Sequence, residues 1–376
     1  MRINMSVARA TMVVAGILSL VLVATSAPSR PAQSSGDAPK TAEQVNKNIQ
    51  VLKGIPADQL IPAMQFISNS LNVECEFCHT QGAFEKDDKK PKETARKMIQ
   101  MQFAINKENF KGEPEVTCFS CHRGSHDPIR TPIIPDEEPK RAEAPKPAES
   151  ATLPAADQVI DKYIQAVGGA EALQKITSRS EKGTITVGGR PTPIELWTKA
   201  PDKRISIMHT PNGDNITAYD GHNGWLGSPG GRPPRDISPA EVDPVRLDSD
   251  FNLPLDLKKI FSQFRVRPGD KVGDHETIQL IGIREGKPPV RFFFDKDSGL
   301  LVRMVRYVAT PLGLNPAEID YADYRTEGGV KIPYRWTLAR PLGRFTIQVD
   351  QVQQNIPIED TKFSKPAASA EQKPAK

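Results

Sequence analysis

All four cysteines of this 376-residue chain stand in two copies of one short pattern, Cys75-Glu76-Phe77-Cys78-His79 and Cys118-Phe119-Ser120-Cys121-His122. A chain stapled by disulfides would scatter its cysteines more widely. Here they come as two chemical units. Cys-x-x-Cys-His is the attachment pattern for c-type haem. Two intervening residues let both thiols reach the vinyl positions along one porphyrin edge, and the His that follows reaches the iron from one face. Each copy thus supplies two thioether anchors and one axial ligand. The competing chemistries are a redox disulfide and a zinc ribbon built from both pairs. Zinc has no need of a His directly after each pair, so the expected cofactors are two covalently bound haem c groups (iron). Cys75, Cys78, Cys118 and Cys121 are the anchors, with His79 and His122 as metal ligands.

The sixth ligand decides what such a haem does. A thioether opposite imidazole raises the potential and suits electron transfer. Met64 lies upstream of the first motif, on a helical stripe with Leu60, Ile67 and Leu71. It is a candidate ligand; the plainer reading is a core gap-filler. Met98 and Met101 lie upstream of the second motif on one helix face with Ala95 and Ile105, and helix geometry alone does not choose between them. The repeated order of Met-bearing helix, loop and Cys-x-x-Cys-His reads as a duplicated module. A folded unit of about 80 residues has a radius of gyration of roughly 12 Å, which keeps two porphyrins close enough for fast electron exchange. An open sixth position would instead suit peroxide, so a dihaem peroxidase is the enzyme rival. His126 reads as a surface residue near haem. His209, His222 and His275 show no metal-like clustering.

The rest of the chain divides by composition. Arg2 and Arg9 precede the apolar run Met12 to Ala24, and small residues follow to Ala27. Residues 1–27 are therefore expected to be a cleaved export signal or a retained anchor, which places the protein in the periplasm, free or held at the inner membrane. Residues 28–45 read as a spacer, 46–127 as the dihaem module, and 128–154 as a Pro-rich linker. Residues 155–366 read as β-rich, with strands Gly183 to Val187, Ile194 to Thr198, Arg204 to Met208, Asn215 to Tyr219, Arg291 to Phe294, Leu300 to Val308, Ile319 to Arg325, Val330 to Leu338 and Arg344 to Val352. Asp297-Ser298-Gly299 and Glu327-Gly328-Gly329 are hairpin turns. Helices are expected at Ala155 to Val167 and Pro254 to Phe264, and a disordered tail at 367–376. Asp220, Trp225 and Asp295 read as turn and core residues. The net charge is +4, and no basic block marks a nucleic-acid partner.

Residues about 50 to 128 resemble the cytochrome c subunit of photosynthetic reaction centres. The resemblance is carried by Leu60 through Met64 and Phe66, by Cys75 to His79, by Ala95-Arg96-Lys97-Met98-Ile99-Gln100-Met101 with Ile105-Asn106, and by Val116-Thr117-Cys118 through Gly124. It implies that Met64 is the sixth ligand of the first haem. For the second it implies Met98, with Met101 in reserve. Members of that family usually carry four haems, and this chain has motifs for two. The β-rich region is similar to the half-barrel of outer-membrane lipoprotein carriers, through such pieces as Ala200-Pro201-Asp202-Lys203, Tyr219-Asp220-Gly221 and Phe294 to Leu301. The expected fold is therefore multidomain: an α-helical c-type dihaem cytochrome module plus a mostly antiparallel β half-barrel-like (α+β) domain. The expected function is electron transfer, without catalysis, between redox donor and acceptor proteins such as a membrane-bound complex or a soluble cytochrome. Membrane association through the N-terminus and a hydrophobic ligand in the β domain are further expectations. The binding-module rival is a lipid or lipoprotein carrier with accessory haems.

Overall fold

The computed structural model describes residues 40–131, 153–230, 233–341 and 343–366. The signal or anchor over 1–27, most of the spacer, all but the ends of the 128–154 linker and the 367–376 tail lie outside the described residues. Everything described falls within one compact unit, Pro39–Lys376. Among the described residues no helix is long and apolar enough to cross a membrane.

The N-terminal segment is helical. A short helix α1 (Ala42–Val45) lies within the stretch read as spacer, and its Ala42 is wholly buried. The spacer expectation therefore runs too far: the backbone N–H groups of Ala42 and Ala57 donate to Ile55 and Lys40, tying this strand of chain into the fold. Helix α2 (Leu60–Leu71) ends at Asn72, whose left-handed backbone stops it. Helix α3 (Lys90–Asn109) starts with Pro at its first turn, where no amide donor is needed. Helix α4 (Cys118–His122) is the second motif itself, closed by Arg123 in the left-handed region.

From residue 156 the chain forms helices α5 (Ala156–Ala166) and α6 (Ala170–Gln174), then a long antiparallel meander. Strands β1 (Ser178–Val187), β2 (Arg190–Lys199), β3 (Lys203–Thr210), β4 (Gly213–Tyr219), β5 (Gly224–Gly227) and β6 (Arg235–Asp236) come first. Helices α7 (Pro239–Ser249) and α8 (Leu253–Ile260) follow. Strands β7 (Gln263–Pro268), β8 (Thr277–Ile283), β9 (Val290–Asp295), β10 (Leu301–Thr310), β11 (Gly313–Glu327), β12 (Val330–Arg340) and β13 (Gly343–Gln354) complete the set. The sheet order is β6-β5-β4-β3-β2-β1-β13-β12-β11-β10-β9-β8-β7, so consecutive strands pair except β6 and β7, which form the two edges, and β13 returns to β1. The large antiparallel sheet is as expected, with both named hairpin turns in place between β9 and β10 and between β11 and β12.

One face of the sheet holds the main core. Val159, Ile160 and Tyr163 of α5 and Leu257 of α8 pack on Phe292, Phe294, Met304, Ile319 and Ile347. Alternation along β9 shows why: Val290, Phe292 and Phe294 face this core, while Phe293 joins a smaller cluster with Val272 and Val302. A partly open cavity of about 780 Å³ is lined by sheet residues and also by Pro62, Gln65 and Asn69 of α2. The expected helix over Pro254 to Phe264 needs correction. It stops at Ile260, and Gln263 onward is strand, with the Phe261 ring pressed against the backbone at Gly282.

Candidate functional site

Each Cys-x-x-Cys-His motif sits at the foot of a helix. The first is a single 3-10 turn, Cys75–Phe77, just past the end of α2, and His79 donates back to Cys75 through its backbone. The second is α4, with the Thr117 amide donating to Ser120 Oγ at 3.0 Å at its start. The two lie together. The Gly124 amide donates to the carbonyl of Ser70 near the end of α2, and the His126 ring lies 5.9 Å from the ring of Phe77 inside the first motif. Asn106 of α3 braces the second motif by gripping both backbone groups of Val116, accepting at 2.9 Å and donating at 2.7 Å.

The two motif histidines are held in the same way. His79 Nδ1 lies 3.0 Å from the carbonyl oxygen of Phe84, and His122 Nδ1 lies 3.0 Å from that of Ser125. A carbonyl only accepts, so each Nδ1 carries the proton. In a neutral imidazole that leaves Nε2 with the lone pair, which is the tautomer a metal ligand needs.

The methionine-bearing faces are less covered than the opposite faces of their helices. On α2 the buried positions are Leu60, Pro62, Ala63, Phe66 and Ser70, while Met64, Ile67 and Leu71 are half-covered, Met64 and Ile67 packing on the same cluster as Leu60 and Phe66. On α3 the inversion is sharper: Lys92, Ile99, Gln102 and Asn106 are buried, while Met98 is 39% and Met101 is 47% exposed. Burying Lys, Gln and Asn while leaving Met outside reverses ordinary helix amphipathicity. Nine of the eleven large hydrophobic side chains exposed among the described residues belong to this N-terminal segment, including Phe77 and Phe119 of the motifs.

These features fit c-type haem. The four thiols are unpaired, and among the described residues no three His, Cys, Asp or Glu side chains are gathered to hold a bare metal ion. Burial pushes the Cys118 thiol up to about 11 and raises that of Cys78. Cys118 Sγ also lies 3.2 Å from Gln102 Oε1. His126 is exposed and paired with Asp127, as a surface residue would be.

A family model described as "Photosynthetic reaction centre cytochrome C subunit" matches residues 13–158, which include both motifs. The haem-motif region of this chain is similar to that cytochrome. Over 123 residues it is 32% identical to the photosynthetic reaction center cytochrome c subunit of Thermochromatium tepidum, covering 32% of this chain and 30% of that one. Over 98 residues it is 36% identical to the corresponding subunit of Roseobacter denitrificans, covering 23% and 26%. Over 85 residues it is 33% identical to cytochrome c-554 of Chloroflexus aurantiacus, covering 21% and 20%. The match thus spans under a third of the length of these curated relatives. Among solved structures, a LolA superfamily protein from Nitrosomonas europaea aligns over 56% of this chain and 98% of its own, with 12% identity and a TM-score of 0.39. An outer membrane lipoprotein-sorting protein domain from Vibrio parahaemolyticus aligns similarly, with 11% identity and a TM-score of 0.42 over 56% and 98%.

Two parts of the site went unread in the sequence. Lys92 is 8% exposed. Its ammonium donates to the carbonyls of Phe84 at 2.8 Å and Lys86 at 2.6 Å and pairs with Asp87 at 3.0 Å. Arg96, Asn48 and Lys92 together hold the Asp87 carboxyl well below the usual range. The other part is the β10–β11 turn. Leu312 is wholly buried in the cluster formed by Leu52, Leu60, Ala63, Phe66 and Ile99, and its carbonyl accepts from Gln102 at 3.0 Å. A buried lysine and a contact across 210 residues leave no local signature. In the sheet, Asp220 caps its own turn, Trp225 donates to Phe363 from the interior, and Asp295 accepts from Ser298 and faces His275 at 3.0 Å. These are turn and core roles.

Proposed function

We propose that this chain is a dihaem c-type cytochrome that carries electrons between redox proteins in the periplasm. The reading assigns the haem module to residues 46–127, with Cys75 and Cys78 anchoring one haem and Cys118 and Cys121 the other. His79 with Met64 would hold one haem iron, and His122 with Met98 the other. The carrying observation is the matched pair of Nδ1 locks, at 3.0 Å on each side, which leaves both motif imidazoles with a free Nε2 lone pair.

Haem, when bound, supplies a one-electron couple at iron. The chain's residues supply the rest. The Phe84 and Ser125 carbonyls fix the tautomer of the imidazoles, and ligands so held need little rearrangement between oxidation states. The half-covered stripes of α2 and α3 offer apolar surface and thioether sulfur. Donor, acceptor and any tie to photosynthesis belong to the whole assembly; a membrane-bound complex or a soluble cytochrome has the required chemistry. The sheet region, 155–366, is read as the docking or supporting part.

Production of the full chain in a host able to mature c-type haem tests this. A pyridine haemochrome assay should count two haems per chain, and Cys75→Ser with Cys78→Ser should leave one. A colourless protein, or one holding zinc at its thiols, would overturn the proposal.

A further inference from the structure

We infer that Lys92 is a positioning residue that raises the reduction potential of the haem at Cys75–His79 relative to the haem at Cys118–His122. The inference rests on the cytochrome reading above.

The two histidine locks look alike but differ in what lies behind them. At the second motif, Ser125 O accepts the His122 Nδ1–H, and among the described residues no cationic side chain donates to that oxygen. At the first motif, Phe84 O accepts two donors: the His79 Nδ1–H at 3.0 Å and the Lys92 ammonium at 2.8 Å. An imidazole whose N–H is held by a strong acceptor gains imidazolate character, becomes a stronger donor to iron and favours the ferric state. An ammonium on the same carbonyl draws off the electron density that would otherwise polarise the imidazole. His79 is therefore the weaker donor of the two, and its iron is more easily reduced.

The charge acts in the same direction. Lys92 is 8% exposed, and its three N–H groups are all taken, by Phe84 O, Lys86 O and Asp87 Oδ1. The one carboxylate is shared with Arg96, whose Nη2 lies 2.8 Å from the same Asp87 oxygen. Two cations on one anion leave a net positive charge beside the first site, although Asp87 itself is open to solvent. A positive field favours the iron state of lower charge. A buried lysine is rarely kept unless something needs it; bracing the loop from Thr80 to Lys89 is one such need, and the experiment must separate the two.

The test is potentiometric titration of the full-length, haem-loaded protein, followed optically. Lys92→Met should move one of the two one-electron waves to lower potential by clearly more than the other. Lys92→Arg, which keeps charge and donors, should move it less. Asp87→Asn, which releases the positive field, should shift the same wave upward. Unmoved waves, or equal shifts of both, in Lys92→Met and Asp87→Asn would overturn the inference. If Lys92→Met fails to accumulate haem, Asp87→Asn alone decides by the same criterion. The haem count of the parent separates the layers: fewer than two haems defeats the cytochrome reading and this inference with it, whereas two haems with unmoved waves defeats only the role of Lys92.

Discussion

Truncating Leu312 to alanine should loosen the helical segment that carries both motifs, although Leu312 lies 190 residues beyond His122. Its side chain is wholly buried among Leu52, Leu60, Ala63, Phe66 and Ile99. Removing three carbons forfeits about 2.4 kcal/mol of transfer free energy at roughly 0.8 kcal/mol each. A residual cavity adds to that, and measured Leu→Ala losses run from about 2.7 to 5 kcal/mol. This site cannot collapse freely. Gln102 holds the Leu312 carbonyl at 3.0 Å, and the Thr310 hydroxyl accepts the Leu312 amide at 3.2 Å and donates to Gly313 O at 2.8 Å. At Gly313 an added Cβ would stand 2.4 Å from the Phe66 ring, so backbone and ring already touch. The expected loss is therefore about 3–4 kcal/mol, or a fall of roughly 6 °C or more in the midpoint of thermal unfolding. Leu314→Ala is the internal control: Leu314 sits on the same hairpin but is 42% exposed, and should lose less than about 0.5 kcal/mol. Differential scanning calorimetry measures both, and hydrogen exchange should show the Leu312→Ala effect concentrated in α2 and α3. Equal losses in the two variants, or exchange rates in α2 and α3 that match the parent, would refute the claim that the hairpin completes the core of the haem-motif segment.

Asn106→Ala removes both side-chain bonds to Val116 and should cost about 1–3 kcal/mol, with faster proteolytic cutting between α3 and α4 than in the parent. Arg306 is 5% exposed and pairs with Asp248 through two nitrogens; Arg306→Ala strands that carboxylate and should destabilise by about 3–5 kcal/mol in urea unfolding. Burial, helped by Asp256, pushes the Asp250 carboxyl up to about 7. A group whose pKa is raised by folding stabilises the native state below its unfolded pKa and loses that contribution as pH rises through the folded value. Stability should thus decline between about pH 4 and pH 7, and Asp250→Asn should flatten that slope; an unchanged slope would refute the assignment.

The chemistry proposed for this chain is legible because it is local. Cys-x-x-Cys-His carries its anchors and ligand within five residues, and the turn residues at 297–299 and 327–329 announce their hairpins. The Met-bearing stripe of α3 was also legible as apolar, but its orientation was not. Periodicity says which residues share a face, not whether that face meets the protein or something else. Strands β7 and β8 were harder. Phe261 and Phe264 continue the apolar spacing of α8, so the sequence reads as one longer helix, and only the antiparallel pairing of 263–268 with 278–283 makes it a strand. Helix α7 carries Pro244 in its interior, which argues against a helix locally; its place is set by packing against β10 and β4. Leu312 and Lys92 matter through partners that sequence spacing does not reveal: a hairpin tip reaching another segment, and an ammonium holding the carbonyl behind a histidine.

Low-temperature electron paramagnetic resonance of the fully oxidised, full-length protein tests the central claim most directly, alongside a pyridine haemochrome count. The account expects two haems per chain, both low-spin and six-coordinate, with one low-spin signal lost or altered in Met64→Ala and the other in Met98→Ala. A protein without covalent haem, or one with a high-spin five-coordinate ferric site in the parent, would contradict it.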